Sequence, residues 1–425
     1  MLITFPFVVY CCHSIAQTDS TVKKCNECHG KIIAQEVIHP ATETCDKCHQ
    51  SNGQPHPLEN VMGFSMAATV PELCYNCHDP KNTKKNIHSP VVEGKCLTCH
   101  TPHSSPEFFL LKQYPPSMVC KECHDLKGTE KKVTHPPVAE GKCNKCHNPH
   151  QSDEDHFLKS ETSRLCIKCH KKQGEELKDG NVHPPFRNNC ALCHKPHGSN
   201  ENKLLDMSPP ELCFYCHDDM KNKVEKSSTV HGAVTENKGC VNCHSPHASA
   251  QPMFLHNEPK ELCLNCHNKT MTSGNRTISN INELLQKGKS VHEAINKNGC
   301  IACHDPHASS NSKLLIKPMP EGSYAPASDE NFALCFTCHK SELIENEISV
   351  STGFRNGDKN LHFVHIHGKK GRSCNICHNP HGSLNDHLIK EKTKFGSWEM
   401  PMNYKSSESG GSCLPGCHVE RKYER

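Results

Sequence analysis

Core-forming side chains are scarce in this 425-residue chain. Aromatic residues make up 5% of it, with a single Trp. The apolar fraction is 34%, and that figure includes 32 Cys. Without them it falls to about 26%, low for a globular chain of this length. Length alone would allow two or three ordinary domains, but this composition does not fill their cores. Long apolar runs are also missing. After the first 16 residues nothing approaches the roughly 18 apolar residues of a membrane helix, which excludes a later span. Charge of one sign is missing too: the formal net charge is +3 and there is no long basic run, so nucleic acid is not expected as a partner. Cysteines outside one pattern are almost absent. Only Cys11 and Cys12 fall outside it.

That pattern is Cys-x-x-Cys-His, which occurs fourteen times, with one further Cys-x-x-x-Cys-His. Disulfides, zinc and haem are the competing readings of a cysteine framework. A disulfide framework has no reason to place a His after every second Cys. Zinc would need two further ligands per site and no adjacent His. Covalent c-type haem explains both features: two thiols add to the two vinyl groups of one porphyrin, and the next His ligates iron. The expected attachment pairs, each with its proximal His, start with Cys25, Cys28 and His29; Cys45, Cys48 and His49; Cys74, Cys77 and His78; Cys96, Cys99 and His100. They continue with Cys120, Cys123 and His124; Cys143, Cys146 and His147; Cys166, Cys169 and His170; Cys190, Cys193 and His194. Next come Cys213, Cys216 and His217; Cys240, Cys243 and His244; Cys263, Cys266 and His267; Cys300, Cys303 and His304. The last are Cys335, Cys338 and His339; Cys374, Cys377 and His378; and the wider Cys413, Cys417 and His418. About 15 haem c per chain would supply the apolar interior that the side chains lack, so the haem-free chain is expected to be largely unfolded. Two propionates per haem take the net charge to about −12 in the oxidised state.

The motifs alternate between two types. Type A has a His six to nine residues upstream and, in most units, Pro-His just downstream, as in His135 … Cys143-x-x-Cys146-His147-Asn148-Pro149-His150. Type B is usually preceded by Leu and has neither, as in Leu165-Cys166-x-x-Cys169-His170. One A plus one B spans about 47 residues, the mark of a repeat architecture. His100, His147 and His194 keep that spacing, and later units are longer. Pro, Gly, Asn and Lys interrupt nearly every run. The expected fold is therefore mostly irregular coil with short α-helices and little β, an elongated haem-cored array of di-haem units. Residues 1–16 read as a signal peptide, apolar and ending in Ser14-Ile15-Ala16, though atypical in having no Lys or Arg before the apolar run. Residues 17–267 read as compact repeats and 268–425 as repeats with longer insertions, near 268–291, 317–334 and 341–366. The insertions are expected to be surface loops, with a short helix between Ser279 and Lys287 carrying Leu284 and Leu285 on one face.

Distal ligands should come from the remaining His. The upstream set is His39, His88, His135, His183, His231, His292 and His367. The downstream set is His103, His150, His197, His247, His307 and His381, with His56 as a stretched equivalent. His362 or His365 could complete fifteen. His156, His256 and His387 are read as surface residues. Two imidazoles per iron give a saturated, low-spin haem that passes electrons and has a lower potential than a Met/His haem. Which His serves which iron is not readable from the pattern.

Cys-x-x-Cys-His-x-Pro-His, a Leu-rich step (Leu110-Leu111, Leu204-Leu205, Leu314-Leu315), then Leu-Cys-x-x-Cys-His resembles the doubled-CXXCH class of multihaem c-type cytochromes over residues 25–418. The resemblance implies close-packed bis-His haems carrying current, with no catalytic residue and no enzyme activity. It implies export to the periplasm, outer surface or medium. The implied partners are other redox proteins: a quinol-linked or periplasmic cytochrome donor, and an outer-membrane cytochrome or metal mineral as acceptor. Porin or filament assembly is a further implied option. A multihaem reductase of nitrogen or sulfur oxyanions is the alternative. It would need one open haem, for which the Cys413–His418 site is the candidate.

Overall fold

The computed structural model describes residues 21–54, 56, 60–178, 180–274 and 276–425, without the side chains of residues 21–24. The expected signal segment, with Cys11 and Cys12, lies outside them. The chain divides into two compact units. One is the described part of Met1–Gly174 with Pro184–Met207; the other is Glu175–His183 with Ser208–Arg425. Coil dominates both. Among the described residues the longest α-helices, Thr21–His29 and Asp218–Lys226, have nine residues, and most strands have two. No described helix is long and apolar enough to cross a membrane.

Each repeat is built from the same short pieces, and the sequence explains them. A two-residue strand leads into the upstream His, which holds extended backbone at the N-cap of a four- to six-residue helix. His88 (φ −63°, ψ 133°) precedes Ser89–Val92, and His135 (φ −64°, ψ 131°) precedes Pro136–Ala139. Pro in the first turn suits that start, because its missing N–H is one the helix leaves unpaired anyway. The third helical residue packs inward: Phe186, Val234 and Ile295 are buried. The A-type attachment motifs then form single 3₁₀ turns, as at Cys96–Thr98 and Cys143–Lys145. The B-type motifs sit at the ends of short α-helices, as at Pro116–Cys120 and Thr162–Ile167.

Repeats are joined by antiparallel pairs between one unit and the next. Asn86-Ile87 pairs with Gln151-Ser152, Val133-Thr134 with Gly198-Ser199, and Thr229-Val230 with Ala308-Ser309. The rung beyond each pair is a His–His backbone bond: His88 N–H donates to the His150 carbonyl at 3.0 Å, and His231 to His307 at 2.9 Å. Such bridges are too short to be stable alone.

The late part of the chain differs. Ala325, Phe332, Ile344 and Ile366 form a buried cluster, flanked by Phe336, Leu343 and Cys374. This corrects the expectation of surface loops: the segments 317–334 and 341–366 build a side-chain core instead. The physical reason is placement: Phe332, Ile344 and Ile366 pack against one another, whereas repeat aromatics such as Phe108 and Phe109 stay exposed. After it come a hairpin, Lys392–Phe395 with Trp398–Pro401, and a three-stranded sheet of Lys405–Ser406, Gly410–Cys413 and Arg421–Glu424. The expected short helix is present as Ile281–Lys287, capped by the Asn280 side chain.

Candidate haem sites

Proximal and distal candidates face one another in pairs. An A-type proximal His faces the downstream His of the next A unit: His49 with His103, His100 with His150, His147 with His197, His244 with His307, His304 with His381. A B-type proximal His faces the upstream His of the preceding A unit: His78 with His39, His124 with His88, His170 with His135. The same holds for His217 with His183, His267 with His231, and His339 with His292. At the start His29 faces His56. Late in the chain one helix, Leu361–Ile366, supplies both partners: His362 faces His378 and His365 faces His418.

The spacing fits a porphyrin between the rings. Two iron–imidazole bonds of about 2 Å each, plus the ring radii, place the centroids about 6.3 Å apart. The facing pairs run from 5.8 Å for His29–His56 to 6.5 Å for His365–His418. Direct face stacking of aromatic rings would be closer. Among the described residues no group of three or more His, Cys, Asp or Glu converges as a shell for a bare ion. The facing imidazoles come in twos, the number of axial positions that a haem iron leaves to the protein.

At several of these positions burial favours the neutral imidazole, the form a metal ligand takes. It pushes His39, His103 and His292 below the usual histidine range, helped by the charge of the facing ring. His362 and His381, the more deeply buried, are pushed down to about 4 by the same two causes. Backbone carbonyls then hold the other ring nitrogen. His88, His183 and His231 place Nδ1 at 2.9, 3.0 and 2.9 Å from the carbonyls of Pro149, Pro246 and Pro306. That leaves Nε2 for iron and fixes the ring.

One expected ligand is placed differently. His367, expected in the upstream set, has its Nε2 at the Ile344 carbonyl and its ring stacked on Phe363 at 4.1 Å. Helical geometry is the reason: His362 and His365 are three residues apart and share a face, and His367 does not. His194 holds its Nδ1 2.9 Å from the Lys203 carbonyl, the arrangement seen at the other A-type proximal His. His247 Nδ1 lies 3.4 Å from a Glu176 carboxylate oxygen.

The cysteines fall into register with the imidazoles. The first thiol of a B motif is hydrogen-bonded to the first thiol of the following A motif: Cys120 with Cys143, Cys166 with Cys190, Cys263 with Cys300, Cys335 with Cys374. The wider last motif packs against Trp398 and Met400. Cys417 Sγ lies 3.2 Å from Met400 Sδ and 3.9 Å from an Arg372 nitrogen, and a Cβ at Gly416 would overlap the Trp398 ring.

One recurring set of residues beside these sites escaped the sequence reading. Ser follows the downstream His by two in six units: Ser105, Ser152, Ser199, Ser249, Ser309 and Ser383. Each Oγ donates to a carbonyl six residues on and accepts an N–H two residues on, as for Ser309 with Leu315 (2.6 Å) and Asn311 (2.9 Å). The recurrence of Pro-His-x-Ser was the available signal.

The geometry, covalent motifs and coil-rich repeat together define a multihaem c-type cytochrome that binds haem c covalently and transfers electrons. The Doubled CXXCH motif family matches the chain seven times, at residues 39–83, 88–129, 135–175, 183–222, 231–272, 292–343 and 365–395. These matches span more than half of it, and the chain belongs to that family. No curated protein matches the chain.

Proposed function

We propose that the chain is an electron conduit of about fifteen bis-His haems, each linked through the cysteines and the proximal His given above. The distal ligands are the facing His, with His362 and His365 closing the last two irons. The observation that carries this reading is the facing of motif His by second His at about one iron's width, from His29–His56 to His365–His418. An iron with two imidazoles has no position for substrate, so the protein positions and tunes cofactors and breaks no bonds. Thiol contacts between consecutive motifs favour current passing in sequence order within each unit.

The donor is a quinol-linked or periplasmic cytochrome, and the acceptor an outer-membrane cytochrome or a metal mineral, in the periplasm, at the outer surface or in the medium. The reductase alternative would place its open haem at Cys413–His418, where the facing rings are tilted by 48°. The filament alternative loses one device, since His362 and His365 face histidines of their own chain.

Absorption and low-temperature EPR of the purified holo-protein, with haem counted per chain and cyanide or nitrite added, test this. About fifteen low-spin haems unchanged by the additions are expected. One high-spin haem that binds the added ligand would overturn the conduit and leave a reductase centre.

A further inference from the structure

Six A-type loops hold two consecutive non-glycine residues at positive φ: Phe109-Leu110, His156-Phe157, Lys203-Leu204, Met253-Phe254, Lys313-Leu314 and His387-Leu388. Left-handed backbone costs an L residue about 1–2 kcal/mol, and glycine would remove that cost. None of these twelve positions is glycine. The turn does something specific. The carbonyl of its first residue meets Nδ1 of the proximal His of the same motif: Phe109 with His100 (2.8 Å), His156 with His147 (2.7 Å), Lys203 with His194 (2.9 Å). Met253 meets His244 (2.8 Å), Lys313 meets His304 (2.9 Å) and His387 meets His378 (2.9 Å). His156 and His387, read from the sequence as surface residues, therefore contribute through their backbone.

The serine of Pro-His-x-Ser closes this turn in all six loops, bonding across it from both sides. The first A motif lacks the device. After His49 the chain enters a hairpin, His49–Ser51 with Phe64–Met66, instead. These loops also reach beyond their own sites, as the Pro149 carbonyl does to His88 and the Pro246 carbonyl to His183. In the loop closed by Ser309, His307 faces His244, and the Pro306 carbonyl lies 2.9 Å from Nδ1 of His231, which faces His267. Three neighbouring sites meet in a dozen residues.

We propose that these serines are positioning residues for the haem irons. Each pins a left-handed pair so that its carbonyl accepts the Nδ1–H of the proximal His. That bond fixes the ring, makes Nε2 a stronger donor to ferric iron, and lowers the potential of the site. The inference rests on the haem reading above.

The test is Ser309→Ala in the full holo-protein, with haem counted, spin state recorded, and individual potentials followed by NMR of the haem methyls during a redox titration. The site at Cys300–His304 should move about threefold toward the reduced form at fixed potential, about 30 mV for one electron. Smaller shifts should appear at the sites of His244 and His267, and none elsewhere. Adding Lys313→Gly should reverse the main shift, because glycine takes the left-handed backbone freely. Unmoved potentials at full haem load, or a shift that glycine does not reverse, would overturn the proposal. Should Ser309→Ala fail to mature, Lys313→Val must raise the same potential, and no change there is equally fatal. Failure of the haem reading itself would look different: too few haems, or high-spin iron, in the unmutated protein.

Discussion

The repeats between residues 88 and 315 and the segment from 317 to 425 solve one problem in two ways. In the repeats, buried apolar side chains are scattered, such as Val119, Phe186, Val234 and Ile295, and two-residue bridges link a unit to the next. Among the described residues no buried cluster like that around Phe332 forms there, and on the function proposed above order comes from ligation: the His pairs, and the carbonyls and serines that hold them. The later segment has Phe332 fully buried with Ala325, Ile344 and Ile366, and beyond it Met400, Met402 and Tyr423 are buried as well. The facing histidines differ in origin too. An A-type proximal His such as His100 faces a His of the next unit, whereas His378 and His418 face His362 and His365 of one helix, whose Ile366 belongs to the packed cluster.

The widest separation between the two regions should come from withholding haem. In chain made without haem attachment, amide exchange over residues 88–315 should be essentially unprotected, while residues 325–366 keep measurable protection. Equal exchange in both regions would show that the cluster around Phe332 does not stand without its cofactors. A smaller effect is expected from Phe332→Ala in the holo-protein. Loss of a fully buried Phe costs about 3–5 kcal/mol, so denaturant should release the Cys374 and Cys413 sites earlier and leave the repeat sites low-spin. A transition that moves for all sites together would mean the two regions unfold as one. Smallest is Asn280→Ala. Its side chain accepts the Glu283 N–H at 3.0 Å, and losing such a cap costs about 1 kcal/mol. Faster exchange confined to Ile281–Lys287, with every haem potential unchanged, is the expected result.

Much of the site was legible because covalent chemistry writes itself into sequence. Cys-x-x-Cys-His gives attachment and one axial position without any knowledge of the fold, and the recurrence of His39, His88 and His135 before each A motif marked a second set of imidazoles. Pairing was not legible, since His100 and His150 meet only after two units stack. His367 shows the limit: it sits at the expected offset from Cys374, yet the turn of its helix sends it to Ile344 and Phe363.

By itself, then, the sequence determined the chemistry: covalent haem, imidazole ligands, a period of about 47 residues and too few apolar side chains for ordinary domains. Local spacing suffices for these, because each motif acts within a few residues of itself. Tertiary structure alone decided which imidazole faces which, where a core replaces the cofactors, and why the serines two residues past the downstream His recur. Those depend on contacts between segments well apart in sequence, such as Val133 with Ser199 and Ser290 with Ser383, and no local pattern encodes a distance through space.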